Sequence, residues 1–135
     1  MKIEKVLTPD NKDIDFLTRS INKETVEFGD VYAFAFFVRN KEGDIIAGCN
    51  GSVMFGAIYT DQLWVHPNYR KQEFGRQLMQ SIHEFGKASG CKIATVNTMS
   101  FQHACRFYEK LGYVVDFNRS GYARDSSCLF LKKIL

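Results

Sequence analysis

The fold of this chain is decided by one stretch, Leu63-Trp64-Val65-His66-Pro67-Asn68-Tyr69-Arg70-Lys71-Gln72-Glu73-Phe74-Gly75-Arg76-Gln77-Leu78-Met79. An apolar strand ends, a basic turn that contains a glycine follows, and a helix begins. The first turn of a helix carries unpaired backbone N–H groups and the positive end of the helix dipole, which together suit an anion such as phosphate. Arg70, Lys71 and Arg76 add positive charge. The stretch predicts a phosphate-binding turn, although its spacing alone is as typical of a plain strand–helix turn with a solvated basic patch.

Three apolar segments joined by short turns lead up to this stretch. Residues 31–39, 45–54 and 57–65 each predict a strand, and the polar connection between the first two is typical of a hairpin. Strands in this order form an antiparallel meander. The first strand is apolar at nearly every position, which predicts burial on both of its faces. Gly48 and Gly51 lie inside the second strand and predict a bulge or a close approach by another backbone.

A strand and two helices are predicted at the amino end. Residues 2–7 alternate between polar and apolar side chains, which is typical of a short strand. Thr8 is a suitable N-cap for the helix that follows, with Pro9 at its first position. Apolar residues then recur at positions 14, 17 and 21, and a second short helix is predicted over 24–28.

Beyond the central stretch the pattern alternates between helix and strand. A helix is predicted over about 75–89, a strand over 92–98 and a further helix over 101–111. A strand–helix–strand passage of this length makes the two flanking strands parallel. Residues 113–117 and 128–131 predict the last two strands. The order of elements therefore predicts an α+β fold with a mixed sheet.

The composition predicts one domain over residues 1–135 and excludes several classes of protein. The net charge of +3 comes from 18 basic and 15 acidic residues, without the dense basic stripe of a nucleic-acid-binding protein. The longest apolar run, residues 31–38, is far shorter than the roughly twenty residues of a membrane span. The amino end has no apolar signal-peptide core, which predicts a cytoplasmic location. The four cysteines lie far apart, so we expect free thiols and no metal site.

A second motif occupies residues 98–113, TMSFQHACRFYEKLGY. Together with the central stretch it resembles the GCN5-related N-acetyltransferase (GNAT) superfamily, in its short single-domain bacterial form. The acetyl-CoA loop of that family reads Arg/Gln-x-x-Gly-x-Gly/Ala, and Arg70 and Gly75 occupy its first and last positions. A later helix of the family reads Ala-x-x-Phe-Tyr-x-x-x-Gly-Phe/Tyr, which residues 104–113 match. The resemblance implies a mixed, mostly antiparallel sheet with a splayed central strand pair and helices on both faces.

The resemblance also implies acetyl-CoA as cosubstrate and assigns it a set of residues. Backbone N–H groups across residues 72–76 are expected to hold the pyrophosphate, while the backbone of residues 63–65 pairs with the pantetheine arm as an added strand would. The cofactor-binding residues so implied are Leu63, Trp64, Val65, Arg70, Lys71, Gln72, Glu73, Phe74, Gly75, Arg76, Asn97 and Tyr108. Tyr108 is also expected to donate a proton to the departing CoA thiolate. Without the motif, Tyr108 would be read as an aromatic of the core.

Direct attack by an amine on the thioester, the reaction implied, needs a general base as well. Asp61 is the candidate, because Tyr59, Asp61 and every second residue after them alternate onto one face of their strand. A charged side chain there is costly unless it is used or paired, and a hydrogen-bonded structural Asp is the alternative. Glu24 and Glu27 lie in the segment that covers the acceptor side in this fold. They are rival bases and, with Tyr59, candidate acceptor-binding residues.

One position departs from the family pattern, since Glu73 stands where the acetyl-CoA loop has its middle glycine. Its side chain either points to solvent or weakens cofactor binding. The leading prediction is an N-acetyltransferase that acts on a primary amine of a small molecule, with no metal and no nucleic-acid or membrane partner. An acyl-CoA-binding regulatory module with a degenerate loop and a protein or peptide amine acetyltransferase are the alternatives. Exposed strand edges near the carboxyl end predict a homodimer.

Overall fold

The computed structural model describes all residues from 1 to 135, and its strands form one six-stranded mixed sheet. The strands are β1 (Tyr32–Arg39), β2 (Ile45–Met54), β3 (Ala57–Val65), β4 (Ile93–Met99), β5 (Val114–Arg119) and β6 (Cys128–Ile134). Their order across the sheet is β1-β2-β3-β4-β6-β5. Only β3 and β4 are parallel, and every other neighbouring pair is antiparallel. The predicted α+β class with a mixed, mostly antiparallel sheet is confirmed.

Three α-helices accompany the sheet: α1 (Asn11–Glu24), α2 (Phe74–Ala88) and α3 (Cys105–Lys110). Short 3-10 turns lie at Val26–Phe28, Pro67–Tyr69, Ser100–Gln102 and Ala123–Asp125. No helix is long and apolar enough to cross a membrane. The single long helix predicted over 101–111 is divided in the structure. His103, in the left-handed backbone region at φ 56°, separates the 3-10 turn from α3.

The core lies between α2 and the adjacent face of the sheet. Leu78, Met79 and Ile82 recur at the spacing of one helical face and are buried against Ala47 and Ile58, among others. A Cβ on Gly86 would lie only 2.7 Å from the side chain of Ile58, so the absence of a side chain lets α2 approach β3 closely. This packing holds α2 against the face of the sheet beside β3.

The sheet opens between its two parallel strands. Backbone pairing of β3 with β4 runs only from Ala57–Ile93 to Thr60–Val96 and then stops, although β3 continues to Val65. The polar backbone groups of residues 61–65 on this side therefore have no neighbouring strand. This is the splayed strand pair that the sequence predicts.

A β-bulge lies where the strands begin to part. Gly51 pairs with Thr60 and Asn50 pairs with Gln62, so Asp61 has no partner on β2. A Cβ on Gly51 would stand 1.8 Å from the carbonyl oxygen of Tyr59, a distance that no side chain tolerates. The prediction that a glycine of this strand marks a bulge or a close backbone approach is confirmed.

The amino end differs from its prediction. Residues 2–7 are exposed and form no strand, because alternation favours a strand only where a partner edge pairs with it. Asp10, not Thr8, is the N-cap of α1, and its carboxylate accepts a hydrogen bond from the N–H of Lys12 at 2.9 Å. The second helix is only a single 3-10 turn over Val26–Phe28.

The meander of β1, β2 and β3 has one open face. Strand register places Ala33, Ala35, Phe37, Gly48, Asn50, Gln62 and Trp64 on the side away from α2, and we call this set the outer face. Phe37 is 54% exposed and Trp64 47% exposed, so the expectation that β1 is buried on both faces is wrong. No residue of α1 is buried, and its apolar side chains are also open to solvent.

Candidate active site

A cleft of about 1140 Å³ occupies the gap between β3 and β4 and reaches the first turn of α2. It brings together nearly all of the residues that the sequence motifs single out. Those lining it are Asp61, Leu63, Trp64, Val65, Arg70, Lys71, Glu73, Phe74, Gly75, Arg76, Asn97 and Tyr108. Among the residues predicted to bind the cofactor, Gln72 alone does not line the cleft.

The turn before α2 has the geometry of an anion site. The backbone of Lys71 and Glu73 lies in the left-handed region, at φ 63° and φ 72°. The N–H of Gln77 bonds to the carbonyl of Glu73 at 2.9 Å, so the N–H groups of residues 74–76 are the first-turn donors without a helical partner. Alternation into left-handed backbone turns successive N–H groups toward one concave site, which suits phosphate oxygens.

The side chain of Glu73 does not cap α2. It is 61% exposed and forms an ion pair with Arg76, one turn further along the helix. This pairing neutralises part of the positive charge that Arg76 contributes to the turn. The glycine that the family has at this position carries no side chain. With glycine here, the ion pair and the loss of positive charge at the turn would both be absent.

Arg70 is tied to the end of β3. Its Nε donates a hydrogen bond to the carbonyl oxygen of Val65 at 2.9 Å. The rest of the guanidinium stays at the mouth of the cleft, where it can meet an anion. Gly75 lies beside Phe107, and a Cβ at this position would make only an ordinary contact with the ring at 3.4 Å.

Tyr108 is the buried titratable group of the cleft wall, with 6% of its surface exposed. Burial, with a smaller effect from Cys49, raises the pKa of Tyr108 to about 12. Its ring meets those of Phe107 at 5.1 Å and Tyr113 at 5.6 Å between centroids, both edge to face. The phenol is thus held protonated and in one orientation, as a proton donor must be.

The bulge changes the face on which several predicted residues lie. Tyr59 pairs with Ser52 on the outer face, whereas Leu63 pairs with Cys49 on the face toward α2. The expected common face is therefore wrong, because one extra residue in a strand reverses every side chain beyond it. Asp61 is that extra residue. It is exposed and lines the cleft, while Tyr59 does not.

The acidic residues of the amino-terminal segment lie elsewhere. Glu24 ends α1 and Glu27 lies in the 3-10 turn after it, and both are exposed outside the cleft. The structure does not bring them together with Asp61 and Tyr108. Nothing in α1 walls the cleft, because the side chains of this helix pack into no part of the sheet that lines it.

Several lining residues are absent from the set that the sequence predicts, chiefly in the second motif. Gln102 accepts a hydrogen bond from the N–H of Met99 at 2.8 Å and closes the turn between β4 and α3. His103, Phe107 and Lys110 also reach the cleft. The only feature of the sequence that could have identified these lining residues is their position within the second motif. Helical spacing does not show which side chains of that motif face a gap in a sheet formed by distant residues.

The structure gives no sign of metal or disulfide chemistry in the residues described. No group of three or more His, Cys, Asp and Glu side chains could hold a metal ion. All four cysteines are free thiols, at 49, 91, 105 and 128. Burial raises the pKa of the Cys49 thiol to about 11, so it stays protonated and is a poor nucleophile.

A mixed sheet that opens between two parallel strands beside a helix N-terminus defines the acetyltransferase class of α+β folds. Residues 33–115 match the family model described as acetyltransferase (GNAT) domain, which is more than half of the chain. The chain therefore belongs to the GNAT acetyltransferase family. No curated protein sequence matches it significantly.

Solved structures share this fold. An acetyltransferase from Bacillus cereus is 23% identical over 98% of each chain, with a TM-score of 0.75. An aminoglycoside 6'-N-acetyltransferase complexed with coenzyme A is 15% identical with a TM-score of 0.68, covering 99% of this chain and 97% of the other. Naa20 of Chaetomium thermophilum, in complex with a bisubstrate analogue, is 17% identical with a TM-score of 0.66, covering 73% of this chain and 64% of its own. At such low identity these structures establish the fold and not the substrate.

Proposed function

We propose that this protein transfers an acetyl group from acetyl-CoA to a primary amine of a small molecule. The observation that carries the proposal is a single cleft that joins an anion-binding turn, an unpaired strand edge and a buried phenol. These three features match the pyrophosphate, the pantetheine amides and the thioester sulfur of one elongated cofactor. The complex of a structurally similar acetyltransferase with coenzyme A supports the same cosubstrate.

The cofactor would enter along the strand edge. Pyrophosphate oxygens would accept hydrogen bonds from the N–H groups of residues 74–76, with Arg70 and Lys71 adding charge. The amides of the pantetheine arm would pair with the backbone groups of residues 61–65 that face the gap, apart from the Val65 carbonyl that already accepts from Arg70, as a peptide does in β-augmentation. Asn97, just beyond the last β3–β4 pair, would meet the arm from the other side.

The reaction would be a direct attack within a ternary complex. The amine nitrogen forms a bond to the thioester carbonyl carbon, and the carbon–sulfur bond breaks with its electron pair on sulfur. Tyr108 gives its phenolic proton to that sulfur as negative charge develops, and the phenolate left behind takes a proton back from solvent when CoA leaves. The pKa of about 12 means that the phenol starts the reaction protonated. A backbone N–H of the open strand near Val65 would stabilise the carbonyl oxygen.

Asp61 remains the proposed base that takes the proton from the amine. It lines the same cleft as Tyr108, whereas Glu24 and Glu27 lie outside it. If Asp61 is the base, Asp61→Asn removes the acidic limb of the pH–rate profile. An unaltered limb would assign the base elsewhere.

The acceptor is proposed to be small rather than peptidic. The net charge of +3 disfavours a basic peptide, which prefers an acidic groove. Four free thiols support a reducing, cytoplasmic location. Acetylated peptides detected by mass spectrometry, at rates above those of every small amine tested, would favour the protein-modifying alternative.

A thermal melt with acetyl-CoA tests the cosubstrate first. At about 100 times its dissociation constant, a ligand stabilises by roughly 2.7 kcal/mol, which shifts Tm by about 10 °C in a chain of this size. Release of CoA is then measured with a panel of amines. A clear shift without turnover on any amine would favour the acyl-CoA-binding regulatory module. No shift at millimolar acetyl-CoA would overturn the proposed function.

The role of Tyr108 is tested by Tyr108→Phe. We expect kcat to fall by about 100-fold, the lower range for loss of a general acid, with acetyl-CoA affinity within about twofold of the original. Tyr122→Phe is the matched control, because Tyr122 is 39% exposed and outside the cleft. An unchanged kcat in Tyr108→Phe would remove Tyr108 from the mechanism.

A further inference from the structure

The molecule exposes far more surface than a chain of its size normally does. Its accessible area is 10109 Å², whereas surface scaling for 15.5 kDa gives about 7,200 Å², a difference of about 2,900 Å². Exposed residues 1–10 supply part of this difference. The rest points to apolar surfaces that the single chain leaves uncovered.

Two such surfaces stand out, and they are complementary in shape. The first is the apolar side of α1, where Ile14, Leu17 and Ile21 are 45%, 57% and 52% exposed. The second is a groove of about 610 Å³ on the outer face, walled by Phe37 and Trp64. Small side chains at Ala33 and Ala35 leave the strands open in one part of the groove, whereas the ring of Phe37 lies over Gly48. Asn50 and Gln62 add polar positions to its lining.

The groove has the chemistry of a helix-docking surface. None of its lining residues is charged, which disfavours a nucleic acid or an anionic membrane as the occupant. The 14 residues of α1 form a cylinder about 21 Å long, and the eight residues of β1 that border the groove span about 26 Å. In a folded domain, the apolar side of a helix and the apolar face of a sheet are each normally covered by another element. Here the apolar side of α1 and the outer face both lack such a cover.

We propose that the occupant is a second copy of this chain, with α1 of each protomer seated in the outer-face groove of the other. The contact is then isologous and closes as a two-fold dimer, which needs no further surface. Dimers that depend on their partner bury about 2,000–5,000 Å² in total, which is at least about 1,000 Å² from each chain, and the part of the excess area that lies outside residues 1–10 is the surface available for it. The apolar composition of β1 on both faces is accounted for by this cover.

The dimer would also complete the active site, a consequence that rests on the proposed function. Gln62 and Trp64 line both the groove and the cleft between β3 and β4. A helix in the groove would therefore stand beside Gln62, the neighbour of the proposed base Asp61, on a side of the cleft that α1 of the same protomer leaves open. The partner's α1 then takes the place of the missing acceptor wall.

Sedimentation equilibrium between about 1 and 100 µM tests the association. We expect a particle of twice the chain mass and at least tenfold weaker association in Leu17→Ser. Val114→Ser is the matched control, because Val114 is 59% exposed on the edge strand β5 and should leave association unchanged. Circular dichroism establishes that each variant folds, and Phe37→Ser weakens the other side of the same contact.

Trp64, the only tryptophan, reports occupancy of the groove directly. Its emission should move to longer wavelength on dilution of the original chain and stay at long wavelength in Leu17→Ser. A monomer at about 100 µM, as expected if α1 folds onto its own sheet, overturns the proposal. Loss of association in Val114→Ser but not in Leu17→Ser assigns the interface to the carboxyl-terminal edge and overturns it too. Neither readout depends on acetyl-CoA, so failure here is distinct from failure of the proposed function.

Discussion

Glu73 holds a backbone conformation that favours glycine. Its φ of 72° lies in the left-handed region, which costs an ordinary L-residue about 1–2 kcal/mol. This explains in physical terms why the family loop has glycine at that position. The glutamate also adds a carboxylate that pairs with Arg76, a side chain that would otherwise be available to an anion.

Replacing Glu73 should therefore strengthen cofactor binding in two steps. Glu73→Gln removes the charge and should tighten acetyl-CoA binding about fivefold, equivalent to about 1 kcal/mol. Glu73→Gly removes the side chain and the backbone strain as well, and should bind at least as tightly as Glu73→Gln. Isothermal titration calorimetry measures the series, and equal affinity in all three proteins would contradict an unfavourable role for the carboxylate.

Glycine is required at position 51 because the carbonyl oxygen of Tyr59 lies too close for a side chain, and not because the backbone has a positive φ. Gly51→Ala would force a Cβ against the carbonyl of Tyr59, and we expect it to lower the free energy of unfolding by about 3 kcal/mol. Gly56→Ala is the control and should cost about 1 kcal/mol, since Gly56 has φ +85° but no atom within 4 Å of the place its Cβ would take. Urea unfolding compares the two, and an equal loss would contradict the close approach at the bulge.

At the scale of elements, α2 is connected to the segment after α3 through a buried polar contact. His83 Nε2 lies 2.8 Å from the hydroxyl of Tyr113, whose ring packs in turn on Tyr108. Burial, followed by the charges of Lys133 and Lys87, lowers the pKa of His83 to about 4. The imidazole is thus neutral in the folded protein and supports the ring that positions Tyr108.

This contact predicts an acid-sensitive stability. The unfolded chain takes up the His83 proton near the ordinary pKa of 6.5, before the folded protein does, so stability is lost as pH falls from about 6.5 toward about 4. His83→Leu should reduce that loss by about 1–2 kcal/mol, because solvent screens part of the effect at a half-buried imidazole. Urea unfolding at about pH 7.5 and about pH 4.5 measures the difference. His103→Gln, in the exposed turn before α3, should keep the full loss. A pH dependence that is the same in His83→Leu would rule out this origin.

At the scale of the whole molecule, the amino-terminal residues contribute nothing to the core. Residues 1–7 all belong to the exposed part of the chain, with Val6 the least open of their large apolar side chains at 52%, and they pair with no strand. Deleting residues 2–7 should change Tm by less than about 2 °C, because no buried group is lost. A fall of about 5 °C or more in a melting experiment would instead support the strand that the alternation of these residues predicts.

The sequence predicts a structural feature well when that feature depends on residues close together in the chain. Strands β2 and β3 match their predicted bounds, and α2 differs from its prediction by one residue at each end, because alternation, helical spacing and glycine stops act within a few residues. The residues predicted to bind the cofactor, with the exception of Gln72, line one cleft because two local motifs flank one gap. The prediction of a strand over residues 2–7 is wrong because such a strand depends on a partner edge far along the chain.

By itself, the sequence determined the α+β class, the order of elements from β1 onward and membership of the acetyltransferase family, since each rests on short patterns of side chains. Only the tertiary structure decided that a bulge at Asp61 reverses the strand, that Glu24 and Glu27 lie outside the cleft, and that α1 is left without a covering surface. It also brought His83, on α2, against the ring of Tyr113. These features depend on strand register and on packing between residues far apart in the chain, and a local pattern carries no information about either.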